Sequence, residues 1–284
     1  MIATILSLIP AFLTMPGASD WRLQEKEEIK QTLRFSATAQ TREVIVDNLN
    51  GSITITGYSG NEVQLAATKT LRARSEQKLA EARERIQLEI SERDNVIELY
   101  VDAPFRRRER DGYGRGSDYY GYEVQFDFTL KVPFQTDLKL KTINDGDIEV
   151  ANVAGAFDVD NINGLVEMLE IGGGGRAYAL NGEVTVRFKK NPEYDCYFGS
   201  LNGDVKVEFP ENLSANVRLK TFNGEVYTDF TVASLPVRPP AQEKSGGRFV
   251  YRSDRALGVR IGSGGPELEF DAFNGDIHIV KRVK

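Results

Sequence analysis

The sequence predicts an all-β fold: a single-stranded β-solenoid of the β-helix kind, with Asn-Gly corners and one packed helix near its N-terminal end. Three observations predict it. An Asn followed closely by Gly returns at Asn144, Asn163, Asn181, Asn202 and Asn223, in steps of 19, 18, 21 and 21 residues. A fixed period with one turn per repeat marks a stacked architecture. Two outliers, Asn50-Gly51 and Asn274-Gly275, carry the same signature. Counting from each Asn, apolar residues occupy −6 and −4 (Phe157 and Val159, Cys196 and Phe198, Val217 and Leu219, Leu268 and Phe270) and then +3 and +5 (Val166 and Met168, Val184 and Val186, Val205 and Val207, Ile277 and Ile279). That alternation is a strand with one buried face on each side of a turn.

Between the two strands the pattern changes. Position −2 is polar or small (Asn48, Thr142, Asn161, Ala179, Ser200, Thr221, Ala272) and −1 is apolar (Leu49, Ile162, Leu201, Phe222, Phe273). A tight Asn-Gly hairpin would set −1 beside a mostly polar +2, which favours a corner instead. Gly is expected to supply positive φ there. On this reading the −1 residues form a buried column, with Phe222 beside Leu201. An antiparallel β-sandwich is the alternative architecture.

In chain order, residues 1–19 read as a signal peptide. Met1 to Met15 is uncharged, Ile2 to Leu13 is largely apolar but shorter than the ~20 residues of a membrane span, and Pro16-Gly17-Ala18-Ser19 suits cleavage. No Cys lies nearby, so no lipoprotein anchor is expected, and no later run is apolar enough to span a membrane. Residues 20–135 form an N-terminal segment with strands around Asn50-Gly51 and at Val63–Thr68, continuous with the coils of 136–284. Ser75 to Ile90 reads as a helix capped by Ser75, with Leu79, Ala82, Ile86 and Ile90 as its apolar stripe. Asn95 to Val101 and Glu123 to Pro133 return to strand. Gly172 to Gly175 reads as a tight corner. Residues 231–247, with Pro236, Pro239 and Pro240, read as an insertion that lengthens the step from Asn223 to Asn274 to 51 residues.

Residues 105–122 are the candidate contact segment. Arg106, Arg107, Arg108, Arg110 and Arg115 interleave with Tyr113, Tyr119, Tyr120 and Tyr122, spaced by glycines. Guanidinium groups and flat rings suit an anionic polysaccharide or a protein at the cell surface. A solvated excursion between strands is the bland counterpart. The net charge of −6 gives no reason to expect nucleic acid.

Catalytic signatures do not emerge. The one cysteine, Cys196, falls at a core position, and the one histidine, His278, falls at +4 between inward Ile277 and Ile279, facing solvent. That argues against a Cys/His nucleophile or a His-rich zinc site. Acids at +2 (Asp147, Glu183, Asp204, Glu225, Asp276) would form a stripe beside the corners. They read as turn charge, with a carbohydrate-active hydrolase or lyase as the alternative. No cofactor, metal or catalytic residue is expected.

Val132-Pro133, Leu138–Thr142, Gly146-Asp147-Ile148-Glu149-Val150, the recurring Asn-Gly-Asp/Glu-Val/Ile and Phe273-Asn274-Gly275-Asp276-Ile277 resemble the bacterial putative-adhesin family, a β-strand-repeat domain of unknown function. The resemblance runs from Glu43 to Lys281. It implies a secreted or envelope-associated solenoid without an assigned catalytic site, and it carries over no functional residue. The Arg/Tyr segment and the Pro-rich insertion depart from its pattern. The combined expectation is a non-catalytic, exported binding or scaffold protein of the periplasm, outer envelope or extracellular space.

Overall fold

A computed structural model describes residues 21–35, 41–106, 120–236, 241–245, 248–252 and 256–282. The proposed signal peptide lies outside them. The fold is nearly all β, with two large mixed sheets, and neither sheet closes into a barrel.

The N-terminal part runs β1 (Leu23–Arg34), β2 (Glu43–Asp47), β3 (Ile53–Tyr58), β4 (Glu62–Ala73), α1 (Glu76–Arg85), β5 (Gln87–Arg93), β6 (Val96–Asp102) and β7 (Tyr122–Pro133). The repeat follows as β8 (Asp137–Thr142), β9 (Ile148–Ala151), β10 (Phe157–Asn163), β11 (Val166–Ile171), β12 (Gly175–Asn181), β13 (Val184–Phe188), β14 (Cys196–Asn202), β15 (Val205–Phe209), β16 (Ala215–Asn223) and β17 (Val226–Thr228). The chain ends with β18 (Val232–Ser234), β19 (Ala241–Ser245), β20 (Arg248–Arg252), β21 (Leu257–Ile261), β22 (Glu267–Asn274) and β23 (Ile277–Lys281).

Each Asn-Gly corner carries the chain from one large sheet to the other, making a rung of two strands. The ten-stranded sheet has the order β1-β4-β7-β3-β9-β11-β13-β15-β23-β17, and the eleven-stranded sheet β18-β21-β16-β22-β14-β12-β10-β8-β2-β6-β5. Rung pairs with rung in parallel and in register, Asn opposite Asn, as in Asn181↔Asn202 and Asn202↔Asn274. Within the large sheets, antiparallel pairing is confined to the two ends, β1-β4-β7 and β5-β6 at one and β16-β21-β18 at the other. The inward faces meet in one core, where Phe188 stacks on Phe209 at 5.0 Å and Phe198 packs against Phe270 at 5.3 Å.

Rung order in space departs from rung order in sequence. The C-terminal pair β22/β23 lies between β14/β15 and β16/β17. Phe222 therefore neighbours Phe273 and not, as expected, Leu201. The spacing of 51 residues is the length the chain needs to build the end rung, return along β18 and β21, and enter between two rungs.

Two elements differ from their sequence reading. The helix expected over Ser75–Ile90 ends at Arg85, and Ile86 already has extended backbone. The second half of that stretch is β5, which pairs with β6 (Ile90↔Leu99) because an open strand edge outweighs helix propensity. Ser75 does cap the helix, accepting the Lys78 N–H at 3.3 Å. At the other end the ammonium of buried Lys69 donates to the Ile86 carbonyl at 2.8 Å, and burial pushes its pKa down. β1 went unread in the sequence. It is an edge strand whose inner-phase positions include Glu25, Glu27 and Gln31, so its alternation is mostly polar. Residues 231–247, read as an insertion, include β18 and β19.

Candidate functional site

The corners are where polar chemistry concentrates, and most of the polar groups there are tied to the neighbouring rung. The seven asparagines form one ladder. The Nδ2 of Asn144 donates to the Oδ1 of Asn50 at 3.1 Å, Asn163 to Asn144 and Asn181 to Asn163 at 2.8 Å, Asn202 to Asn181 and Asn274 to Asn202 at 2.7 Å, and Asn223 to Asn274 at 2.8 Å. Such amide stacking is a fixture of in-register parallel strands.

The −2 residues point inward, and the polar ones bond a carbonyl of their own or a neighbouring rung. Asn48 Nδ2 reaches the Gly51 and Phe126 carbonyls at 3.0 and 2.8 Å, Thr142 Oγ1 reaches Gly51 at 2.9 Å, Asn161 Nδ2 reaches Gly146 at 3.0 Å, and Ser200 Oγ reaches Gly182 at 2.8 Å. Buried carbonyls need such partners. The strand alternation thus runs unbroken through −6, −4 and −2, and −1 faces out. In place of the expected buried column is a surface apolar stripe, half-buried at Ile143, Ile162, Leu180 and Leu201. It ends in Phe273 and Phe222, 44% and 71% exposed and stacked at 4.9 Å. Leu49, at the far end, is covered. Extending the inward phase two residues past −4 would have placed the stripe correctly. The polar character of −2 hid it.

The corner glycines are needed chiefly for space. A Cβ on Gly182 would collide with the Gly164 carbonyl oxygen, on Gly203 with that of Gly182, and on Gly224 with that of Gly275. Positive φ is found at Gly51, Gly164 and Gly203, at +108°, +159° and +157°, and not at the corner glycines Gly146, Gly182, Gly224 and Gly275. The expectation of a conformational role at every corner gives way to rung-to-rung contact.

The acidic stripe is also structural in part. Asp147 accepts the Leu165 N–H at 2.9 Å, Asp204 that of Asp276 at 2.8 Å and Asp276 that of Glu225 at 2.8 Å, one rung's carboxylate capping the next rung's corner. On the outer face of the eleven-stranded sheet, Asp158, Arg176, Tyr197, Glu267 and Glu269 border an open depression of about 550 Å³. Arg176 lies over Tyr178 and Tyr197 at 5.0 and 5.6 Å and pairs with Asp160 at 2.5 Å. Burial pushes the Tyr197 phenol up to about 12. Among the described residues no group of His, Cys, Asp and Glu is placed to hold a metal.

Cys196 is buried at its core position, its Sγ 3.4 Å from the Tyr194 carbonyl. Burial pushes the thiol from 9.0 up to about 11. It should therefore resist alkylation in the native protein at neutral pH and react stoichiometrically once unfolded. The linkage has a definite sign. Below pH 9.0 both states keep the proton and the folded state is unaffected. As pH rises toward about 11 the unfolded chain ionises first and stability falls. Rapid native labelling would show the core register to be wrong. His278 is half-buried, its ring stacked on Tyr227 at 4.9 Å.

Of the candidate contact residues, Arg107, Arg108, Arg110, Tyr113, Arg115 and Tyr119 lie outside the described residues. The three that are described are packed. Arg106 pairs with the Asp47 carboxylate at 3.0 Å, donates to the Asp47 carbonyl at 2.8 Å and sits over the Tyr100 ring at 4.6 Å. Tyr122 opens β7 and is fully buried, which takes it out of any contact surface. Tyr120 packs with Phe105 and Tyr122 at 5.4 and 5.8 Å.

No family model matches the chain, and no curated protein matches it. Two solved structures are similar at 10% identity. One is a putative cell adhesion protein from Clostridium sporogenes ATCC 15579, with a TM-score of 0.43 over 91% of this chain and 100% of that one. The other is a putative adhesin from Bacteroides fragilis NCTC 9343, with a TM-score of 0.39 over 90% and 97%.

Proposed function

We propose that this chain is a non-catalytic, exported protein that winds as a β-solenoid and serves as an adhesin-like binding protein or envelope scaffold. One observation carries the reading: most of the groups singled out for chemistry are engaged in holding the fold. Three corner carboxylates, Asp147, Asp204 and Asp276, accept backbone amides, the thiol is buried and protonated, and the imidazole is stacked. The parallel, in-register rungs support the winding. Residues 1–19 act in this reading as the export signal. No described helix is long and apolar enough to cross a membrane.

The contact segment is 105–122, and its partner an anionic polysaccharide or a protein at the cell surface. Arg106 and the Phe105–Tyr120–Tyr122 cluster pin both of its ends to the core. The four arginines between, at 107, 108, 110 and 115, bring positive charge to an acidic chain. Replacing residues 107–119 by a short Gly/Ser link should leave denaturant unfolding nearly unchanged, since loop-closure entropy changes by only ~0.6 kcal/mol per doubling of length. The full chain should bind polygalacturonate at low salt and release it as salt rises, because exposed charges are screened over ~8 Å at physiological ionic strength. Calorimetry on both proteins decides it. Binding that survives the deletion removes the segment from the contact, and cleavage of the polysaccharide would overturn the non-catalytic reading.

A further inference from the structure

In-register parallel strands set like positions side by side, so the outward side chains of a sheet line up in rows. One row crosses β10, β12, β14 and β22 as Asp158, Arg176, Tyr197 and Glu269. The next row on the same strands reads Asp160, Tyr178, Gly199 and Asp271. Gly199 is in the outward phase yet buried, and a Cβ there would lie within 3.0 Å of the Tyr197 phenol. The Tyr197 ring therefore lies down along its own strand, over the glycine. The Arg176 guanidinium sits beside it, 5.6 Å from the Tyr197 ring centre and 5.0 Å from that of Tyr178. This laid-down ring borders the open depression of about 550 Å³.

Three demands on a ligand follow. Four carboxylates, Asp158, Asp195, Glu267 and Glu269, border the depression against one guanidinium, that of Arg176. Arg218, on the flanking strand β16, reaches Glu267 at 3.5 Å, so acids still outnumber cations and a polyanion is disfavoured. Carboxylates accept hydrogen bonds and cannot donate them, so the ligand must be rich in donors. The ring of Tyr197 offers a flat apolar plate. Each of the four strands is paired on both sides, which leaves no backbone edge for an extended peptide to join. A pyranose ring with an apolar face, hydroxyl donors and an ammonium group meets all three demands.

We infer that this depression binds a glycan of amino sugars, one sugar face lying on Tyr197 and its ammonium among Asp158, Glu267 and Glu269. The site is independent of segment 105–122 and prefers the opposite ligand charge, so either can fail without the other.

Calorimetric titration of the full chain with a glucosamine hexamer tests it, at a mildly acidic pH that keeps the sugar amines protonated. The wild type should bind, and Tyr197→Ala should weaken binding about tenfold, the size of one lost aromatic contact. Tyr197→Phe keeps the ring and should bind like wild type. Asp158→Asn, at a half-exposed carboxylate of the border, should weaken binding by a smaller factor. The chain lacking residues 107–119 should bind as the wild type does. The N-acetylated hexamer, which has no ammonium, and hexalysine, which has no sugar ring, should both bind more weakly. Circular dichroism verifies that each variant has folded, and Asp158→Asn decides if Tyr197→Ala does not fold. A wild type that fails to bind, or folded variants at 197 and 158 that bind unchanged, overturns the proposal. Equal binding of hexalysine overturns the sugar contact, and equal binding of the N-acetylated hexamer overturns the role of the acids.

Discussion

Removing residues 266–284 should abolish cooperative folding, although the segment looks from its position in the sequence like a dispensable last rung. β22 and β23 lie inside the stack, between β14/β15 and β16/β17. Leu268, Phe270, Ala272, Ile277 and Ile279 are all buried there. Asn274 relays the amide ladder from Asn202 to Asn223, and Arg282 pairs with Glu170 and donates its N–H to the Phe209 carbonyl. In a stacked fold each rung is held by the interfaces with its neighbours. Deleting an end rung costs one such interface. Deleting this one costs two and leaves β16/β17 with no parallel partner. Chemical denaturation of the truncated chain, followed by circular dichroism, should show no sigmoidal transition. A retained transition at wild-type denaturant concentration would contradict the inserted position of β22/β23.

Replacing Phe270 by alanine should cost ~3–5 kcal/mol of unfolding free energy, the range for truncating a buried aromatic ring. The side chain is fully buried against Phe198. Phe222→Ala makes the same chemical change three positions nearer its own Asn, and should cost about 1 kcal/mol or less, because the ring is exposed and loses one stacking partner. Denaturant midpoints of the two variants compare an inward −4 with an outward −1. Equal losses would mean that the alternation breaks at the corner after all.

The same two phenylalanines mark the limit of what the sequence made legible. Phe270 belongs to the −6/−4 alternation, whose apolar members are all of one phase, so its burial could be read directly. Phe222 is equally apolar, but its side is set by −2, where Thr221, Ser200, Asn161 and Thr142 look like turn residues. Their hydroxyls and amides turn inward because a corner carbonyl of the neighbouring rung needs a donor there, a partner remote along the chain. For the contact segment, composition pointed to Arg106, Tyr120 and Tyr122 along with the rest. Packing assigns Arg106 to Asp47 and Tyr122 to the core, which composition could not distinguish from exposed neighbours of the same type.

By itself the sequence determined the all-β class, the corners, the inward −6/−4 and +3/+5 positions and the core place of Cys196. Each follows from a local period that reports which side of a strand meets apolar surroundings. The tertiary structure alone decided which rung lies beside which. All seven corners present the same Asn amide and the same inward alternation, so local pattern cannot rank neighbours. The 274 rung takes its place between 202 and 223, where it buries apolar side chains and pairs in parallel on both edges, and the antiparallel pair β21 and β18 closes part of the end beyond 223.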